Sequence, residues 1–113
     1  IAANPVEMVL QAYGACLTIG YAMNAAVRGI RIDDIKIDLE GEIDLPGFLG
    51  LDPPEKYGMD KLPGFKNINA KVKIKADADQ KALRELHEQV NKTSPVGLTL
   101  SRPVKLSSSL EVC

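Results

Sequence analysis

The sequence predicts an α+β domain, and three observations carry that prediction. A charge-free run from Met8 to Val27 lies between a helix-start and a helix-stop signal. Two later stretches, around Ile35–Ile43 and Ile68–Ala76, alternate apolar and polar residues. Between the second of these and the end of the chain, Leu83, Leu86 and Val90 recur at helical spacing. A period of two marks a strand with one wet face, and a period near 3.6 marks an amphipathic helix. Helices and strands that do not alternate strictly suggest antiparallel pairing.

The first helix is predicted over Asn4–Gly29 and organises the rest. Asn4 is a good N-cap, Pro5 suits the first helical position, and Glu7 can reach back to close a capping box. Gly29 can end the helix in the left-handed conformation, with Arg28 at the negative end of the dipole. Between Met8 and Val27 the only strongly polar side chains are Gln11, Thr18 and Asn24, and Cys16 lies near the middle. A helix apolar on all sides needs burial on all sides. In a chain of 113 residues that implies a partner subunit. The run has the length of a membrane span, about 20 residues. Its Ala and Gly content, its polar residues and the ordinary charged sequence after it favour a buried helix.

Ile35, Ile37, Leu39 and Ile43 then alternate with Lys36, Asp38, Glu40 and Glu42, a one-sided strand. From Asp44 to Asn67 the chain is rich in Pro and Gly and carries LPGF twice, at Leu45–Phe48 and Leu62–Phe65. It reads as an excursion between two similar turns, either a pocket wall or a surface hairpin. Ile68, Ala70, Val72, Ile74 and Ala76 form a second one-sided strand, with lysines on its outer face. Asp77 or Asp79 caps a second helix running to about Lys92, with His87 beside its apolar stripe. Ser94 caps a short helix, Pro95–Leu100. Val104, Leu106, Ser108, Leu110 and Val112 predict a third alternating strand, and Cys113 ends the chain.

The length fits one domain over 1–113, and the opening at Ile1 rather than Met is consistent with a further N-terminal segment. Net charge is −1, so there is no footprint for nucleic acid or an acidic membrane. Two cysteines and no signal peptide fit a reducing, cytoplasmic compartment. One histidine and two distant cysteines offer no strong metal-ligand set, and neither metal nor cofactor is expected.

NPVEMVLQAYGAC, GFKNINAKVKIKAD and KALRELHEQVNKTSPVGLTLSRPV together resemble the OsmC/Ohr family of peroxide-detoxifying proteins, from Asn4 to Val112. The resemblance implies two long helices packed on small antiparallel sheets in an intertwined homodimer, with each active site between subunits. It also implies that Cys16 stands where the peroxide-attacking cysteine stands. The position of the family's second, resolving cysteine is taken here by Ser94. Where the organic-hydroperoxide branch has a glutamate near the helix start, this chain has Val6, with Glu7 one position along. The family's partner arginine for that glutamate lies in a segment before Ile1.

A thiol attacks peroxide as its thiolate. Cys16 lies about three turns into its helix, beyond reach of the helix N-terminus, and its neighbours one turn away are Ala12, Tyr13, Ile19 and Gly20. None is cationic, so activation needs a charge from elsewhere: Arg84, Arg102 or an arginine before Ile1. Tyr13 could offer a hydroxyl to the sulfur or serve in the core. Cys16 itself could be a small core residue. Ser94 could cap its helix, face Cys16, or both. Three functions follow. The first is thiol-dependent reduction of small-molecule peroxides through Cys16, with an external thiol as reductant. The second is a non-catalytic OsmC-like protein holding an apolar ligand at the dimer interface. The third is a structural role without ligand.

Overall fold

The computed structural model describes residues 4–43 and 64–113. Five elements follow in order: α1 (Pro5–Val27), β1 (Ile32–Ile43), β2 (Phe65–Ala76), α2 (Gln80–Thr93) and α3 (Pro95–Ser101). The class is α+β, as the periodicities predict. Most of the Asp44–Asn67 excursion lies outside the described residues; its last three, 65–67, belong to β2.

The ends of α1 are set by local chemistry. Asn4 Oδ1 accepts the Glu7 backbone N–H at 2.8 Å, and the Asn4 side-chain amide donates to Glu7 Oε1 at 3.2 Å. At the other end Ile30 N–H reaches back to Ala25 O and Gly29 N–H to Ala26 O, the two bonds of a Schellman stop. That stop needs a left-handed residue, and Gly29 supplies it at φ +68°.

β1 and β2 pair antiparallel as a two-stranded sheet. Ile35 faces Ile74, Ile37 faces Val72 and Leu39 faces Ala70, so one face presents a continuous apolar strip. On the other face Asp34 stands opposite Lys75 and Asp38 opposite Lys71. Irregularities in register between Ile32 and Asp34, and between Glu42 and Ile43, let both strands extend beyond the strict alternation. Asp77 closes the end of the ladder: its carboxylate accepts Arg31 N–H at 2.6 Å and its own N–H donates to Arg31 O. Asp79 is therefore the cap of α2, accepting Ala82 N–H at 2.8 Å.

The expected third strand is not formed. Residues 103–113 are neither helix nor strand, and Val104, Leu106, Leu110 and Val112 stand exposed. Alternation marks a segment that can pair, but it becomes a strand only where a sheet edge receives it.

The core is built from α1 and α2. Leu17, Tyr21 and Ala25 lie one turn apart on α1, and Leu86 and Val90 one turn apart on α2; all five are buried. Ile35, Ile37, Val72 and Ile74 close over them from the sheet. Full burial of a Leu or Val side chain contributes about 1.5–3 kcal/mol. Part of α1 stays open to solvent in one chain. Met8, Ile19, Met23 and Val27 are exposed, Val27 at 88%.

Tyr21 is only 1% exposed, and its hydroxyl is hydrogen-bonded to His87 Nδ1. Burial, with a smaller contribution from nearby Tyr13, pushes the Tyr21 phenol up to about 12. The folded chain thus holds this proton more tightly than the unfolded one. The associated stability is complete below the ordinary tyrosine value of about 10 and is lost as pH climbs from there through 12. We expect denaturant midpoints to fall across that alkaline window in wild type and to fall less in Tyr21→Phe. Chemical denaturation at a series of pH values, with phenolate absorbance recorded in parallel, checks this.

Candidate functional site

The site forms at a close approach of α1 and α2. A Cβ on Gly20 would lie 3.0 Å from Val90 Cγ1, so the missing side chain lets the helices close to this distance. One turn back from Gly20 is Cys16, and one turn on from Val90 is Ser94. The pairings 20 with 90 and 16 with 94 run in opposite senses, so the helices are antiparallel here, and the same register brings Cys16 to Ser94. Cys16 Sγ and Ser94 Oγ are 3.2 Å apart.

Ser94 is 5% exposed and has two structural ties. Its Oγ accepts Gly97 N–H at 3.0 Å, which caps α3, and the same oxygen meets the sulfur. A serine hydroxyl has one hydrogen and two acceptor sites. With one acceptor site used by Gly97, the hydroxyl can donate to a Cys16 thiolate or accept from a Cys16 thiol. The contact therefore suits both protonation states of the sulfur.

Cys16 and Ser94 open onto a cavity of about 390 Å³. Ile19, Met23, Val27 and Val90 supply much of its wall, with Pro95 beside Ser94. The other polar lining residues are engaged locally. The Thr93 hydroxyl donates to Gln89 O at 2.7 Å and the Asn24 amide nitrogen to Gly20 O at 2.8 Å. The thiol and the serine hydroxyl are thus the polar pair at one end of an apolar cleft. Ile19, Met23 and Val27 are also among the exposed side chains of α1, so this wall faces outward in a single chain.

None of the described residues lining this cavity is charged. Arg84 lies on another flank of α2, beside Tyr21 and His87, and Arg102 is the C-cap residue of α3. Neither arginine lines the Cys16 cavity of its own chain. Glu7 is tied to Asn4 at the start of α1. Cys113 is free and exposed at the chain end.

Tyr13 departs from expectation. It lines a separate cavity of about 240 Å³ with Phe65, Gly97 and Leu100, and its ring edge packs at Gly97. It does not line the Cys16 cavity. The Tyr21–His87 pair was not predicted, because the two residues are 66 apart in sequence and only packing joins them. Among the described residues no three His, Cys, Asp or Glu side chains converge as a metal site, and no helix is long and apolar enough to cross a membrane.

Chemically, the pair can hold a nucleophilic sulfur beside a hydroxyl in an apolar cleft. It cannot form an internal disulfide, since Ser94 has no sulfur. Comparison with known proteins bears on the same residues. A crystal structure of an OsmC-like protein from Mycoplasma pneumoniae is similar with a TM-score of 0.72 at 20% identity. The match covers 89% of this chain and 64% of that one, and at this identity the likeness is one of fold. No curated protein matches the sequence. The family model for OsmC-like proteins matches residues 1–109, which includes all three helices, both strands and the Cys16–Ser94 contact. This chain belongs to the OsmC-like protein family.

Proposed function

We propose that the chain reduces peroxides through Cys16, as a single-cysteine OsmC-like enzyme that takes its reducing equivalents from an external thiol. The observation that carries this reading is the 3.2 Å contact between Cys16 Sγ and Ser94 Oγ at the end of an apolar cleft. In the first step the thiolate attacks the distal peroxide oxygen, the O–O bond breaks, and the leaving alkoxide takes a proton to become an alcohol. Cys16 becomes a sulfenic acid. An external thiol then condenses with it, releasing water, and a second thiol displaces the mixed disulfide and restores Cys16. Ser94 donates a hydrogen bond to the thiolate and cannot resolve the sulfenic acid. The apolar wall favours an organic hydroperoxide over hydrogen peroxide.

The chain acts as a homodimer in this reading, with the exposed Ile19, Met23 and Val27 wall covered by the second copy. The activating cation comes from that copy, and the reducing chemistry suits the cytoplasm. One observation favours a second reading. The cleft's lining is uncharged, which also suits an apolar ligand held beside an unreactive thiol.

Three results test the first reading. With a dithiol present, wild type should consume an organic hydroperoxide faster than hydrogen peroxide, and Cys16→Ser should lose the activity; equal rates for the two proteins would leave only the binding role. In a Cys113→Ser background, Ser94→Cys should form a Cys16-linked internal disulfide after stoichiometric peroxide, because the replaced oxygen already lies at 3.2 Å from the sulfur. Non-reducing peptide mapping reads that link, and the serine parent should instead stop at sulfenic acid or over-oxidise. Light scattering after size exclusion should give twice the chain mass at micromolar concentration, and a stable folded monomer would contradict the dimer.

A further inference from the structure

Met23 lies in the same cleft as the thiol. Cys16, Ile19, Met23 and Val27 of α1 all line the cavity of about 390 Å³. Met23 follows Cys16 by two helical turns, so the two positions share one face of α1, about 10 Å apart along its axis. A peroxide that enters the cleft for Cys16 therefore also meets Met23. Met8 provides a comparison on the same helix. It is 57% exposed against 65% for Met23, so exposure alone predicts similar oxidation of the two. The described lining of the cleft does not include Met8. The third methionine, Met59, lies outside the described residues.

The two sulfurs of the cleft differ in chemistry. A thiol must lose its proton before it attacks a peroxide, and the lining of this cleft brings it no charge. A thioether carries no proton, so its lone pair needs no activating cation. Its product, the sulfoxide, puts a polar group where a flexible apolar side chain stood.

We propose that Met23 is a modification site, oxidised to the sulfoxide by an organic hydroperoxide held in the cleft, and that the sulfoxide weakens the cleft's hold on apolar molecules. The Met23 sulfur attacks the terminal peroxide oxygen, and the O–O bond breaks. That oxygen stays on the sulfur, and its proton passes to the departing alkoxide, which leaves as an alcohol. The sulfur loses two electrons and the peroxide gains them. A methionine sulfoxide reductase, drawing on a dithiol, reverses the change. The inference rests on the cleft admitting an organic hydroperoxide, as in the function proposed above, and not on catalysis by Cys16.

Cys16→Ser with Cys113→Ser, a protein without thiols, is the material for the test. Cumene hydroperoxide and hydrogen peroxide are each applied until half of Met8 is oxidised, and peptide mass spectrometry then reads Met23. Met8 corrects for the different reactivities of the two oxidants. Cumene hydroperoxide should oxidise Met23 further than Met8. That lead should shrink with hydrogen peroxide, which has no apolar body for the cleft to hold. Cumyl alcohol, the reduced product, should slow oxidation of Met23 and leave Met8 unaffected. Affinity for cumyl alcohol, measured by titration calorimetry, should fall about tenfold on oxidation, the effect of one poorly paired polar group in an apolar wall. Met23→Leu should keep its affinity through the same treatment, and the sulfoxide reductase should restore it in the Met23 protein. The inference is overturned if the ratio of Met23 to Met8 oxidation is the same for both oxidants. It is equally overturned if the oxidised protein and the Met23→Leu control bind cumyl alcohol alike, or if the unoxidised protein does not bind it. A wild type without Cys16-dependent turnover would sink the peroxidase reading and leave these results unchanged.

Discussion

The close approach of α1 and α2 at Gly20 and Val90 is the constraint on which the rest depends. Antiparallel helices in contact have a register, and once Gly20 meets Val90 the next pair along is Cys16 with Ser94. A larger residue at position 20 would force the helices apart or the side chains off their rotamers. Forcing the helices apart would open the 3.2 Å contact. The apolar face formed by Leu17, Tyr21 and Ala25 holds this register from the other side. Core packing and site geometry are therefore set by the same few contacts.

The two flanks of α2 differ in chemistry because they meet different neighbours. Towards Cys16, α2 presents Val90, Thr93 and Ser94, with no charge. Towards β2 it presents Leu83, Arg84 and His87. Tyr21 joins the two regions: its ring lies in the core and its hydroxyl meets His87 at the basic flank. A buried tyrosine needs a partner for its hydroxyl, and a partly exposed histidine supplies one without burying a charge.

Much of the architecture was legible in the sequence because short-range chemistry controls it. The caps at Asn4, Asp79 and Ser94 and the Gly29 stop each rest on residues within one turn. The two strands were legible from Ile37 with Leu39 and Val72 with Ile74 pointing one way and their charged neighbours the other. The pairing of Cys16 with Ser94 was a different matter, since 78 residues separate them. It came from the family resemblance, and periodicity alone would not have yielded it. What failed did so for want of a partner in the pattern. The alternation of Val104, Leu106, Leu110 and Val112 specifies two faces but no edge to pair with. Tyr13 and Tyr21 look alike in sequence, yet one packs at Gly97 and the other reaches His87.

Ser94 Oγ is a shared atom, and sharing has a thermodynamic consequence. The same oxygen holds the first turn of α3 through Gly97 and touches the sulfur of Cys16. Any change at the sulfur that alters how it engages this oxygen also alters how well α3 is capped. Linkage makes the effect reciprocal: fraying of α3 shifts the free energy of the sulfur by the same amount that a change at the sulfur shifts the fraying. The seven-residue helix after Ser94 is thereby a gauge of the state of a cysteine it does not contain.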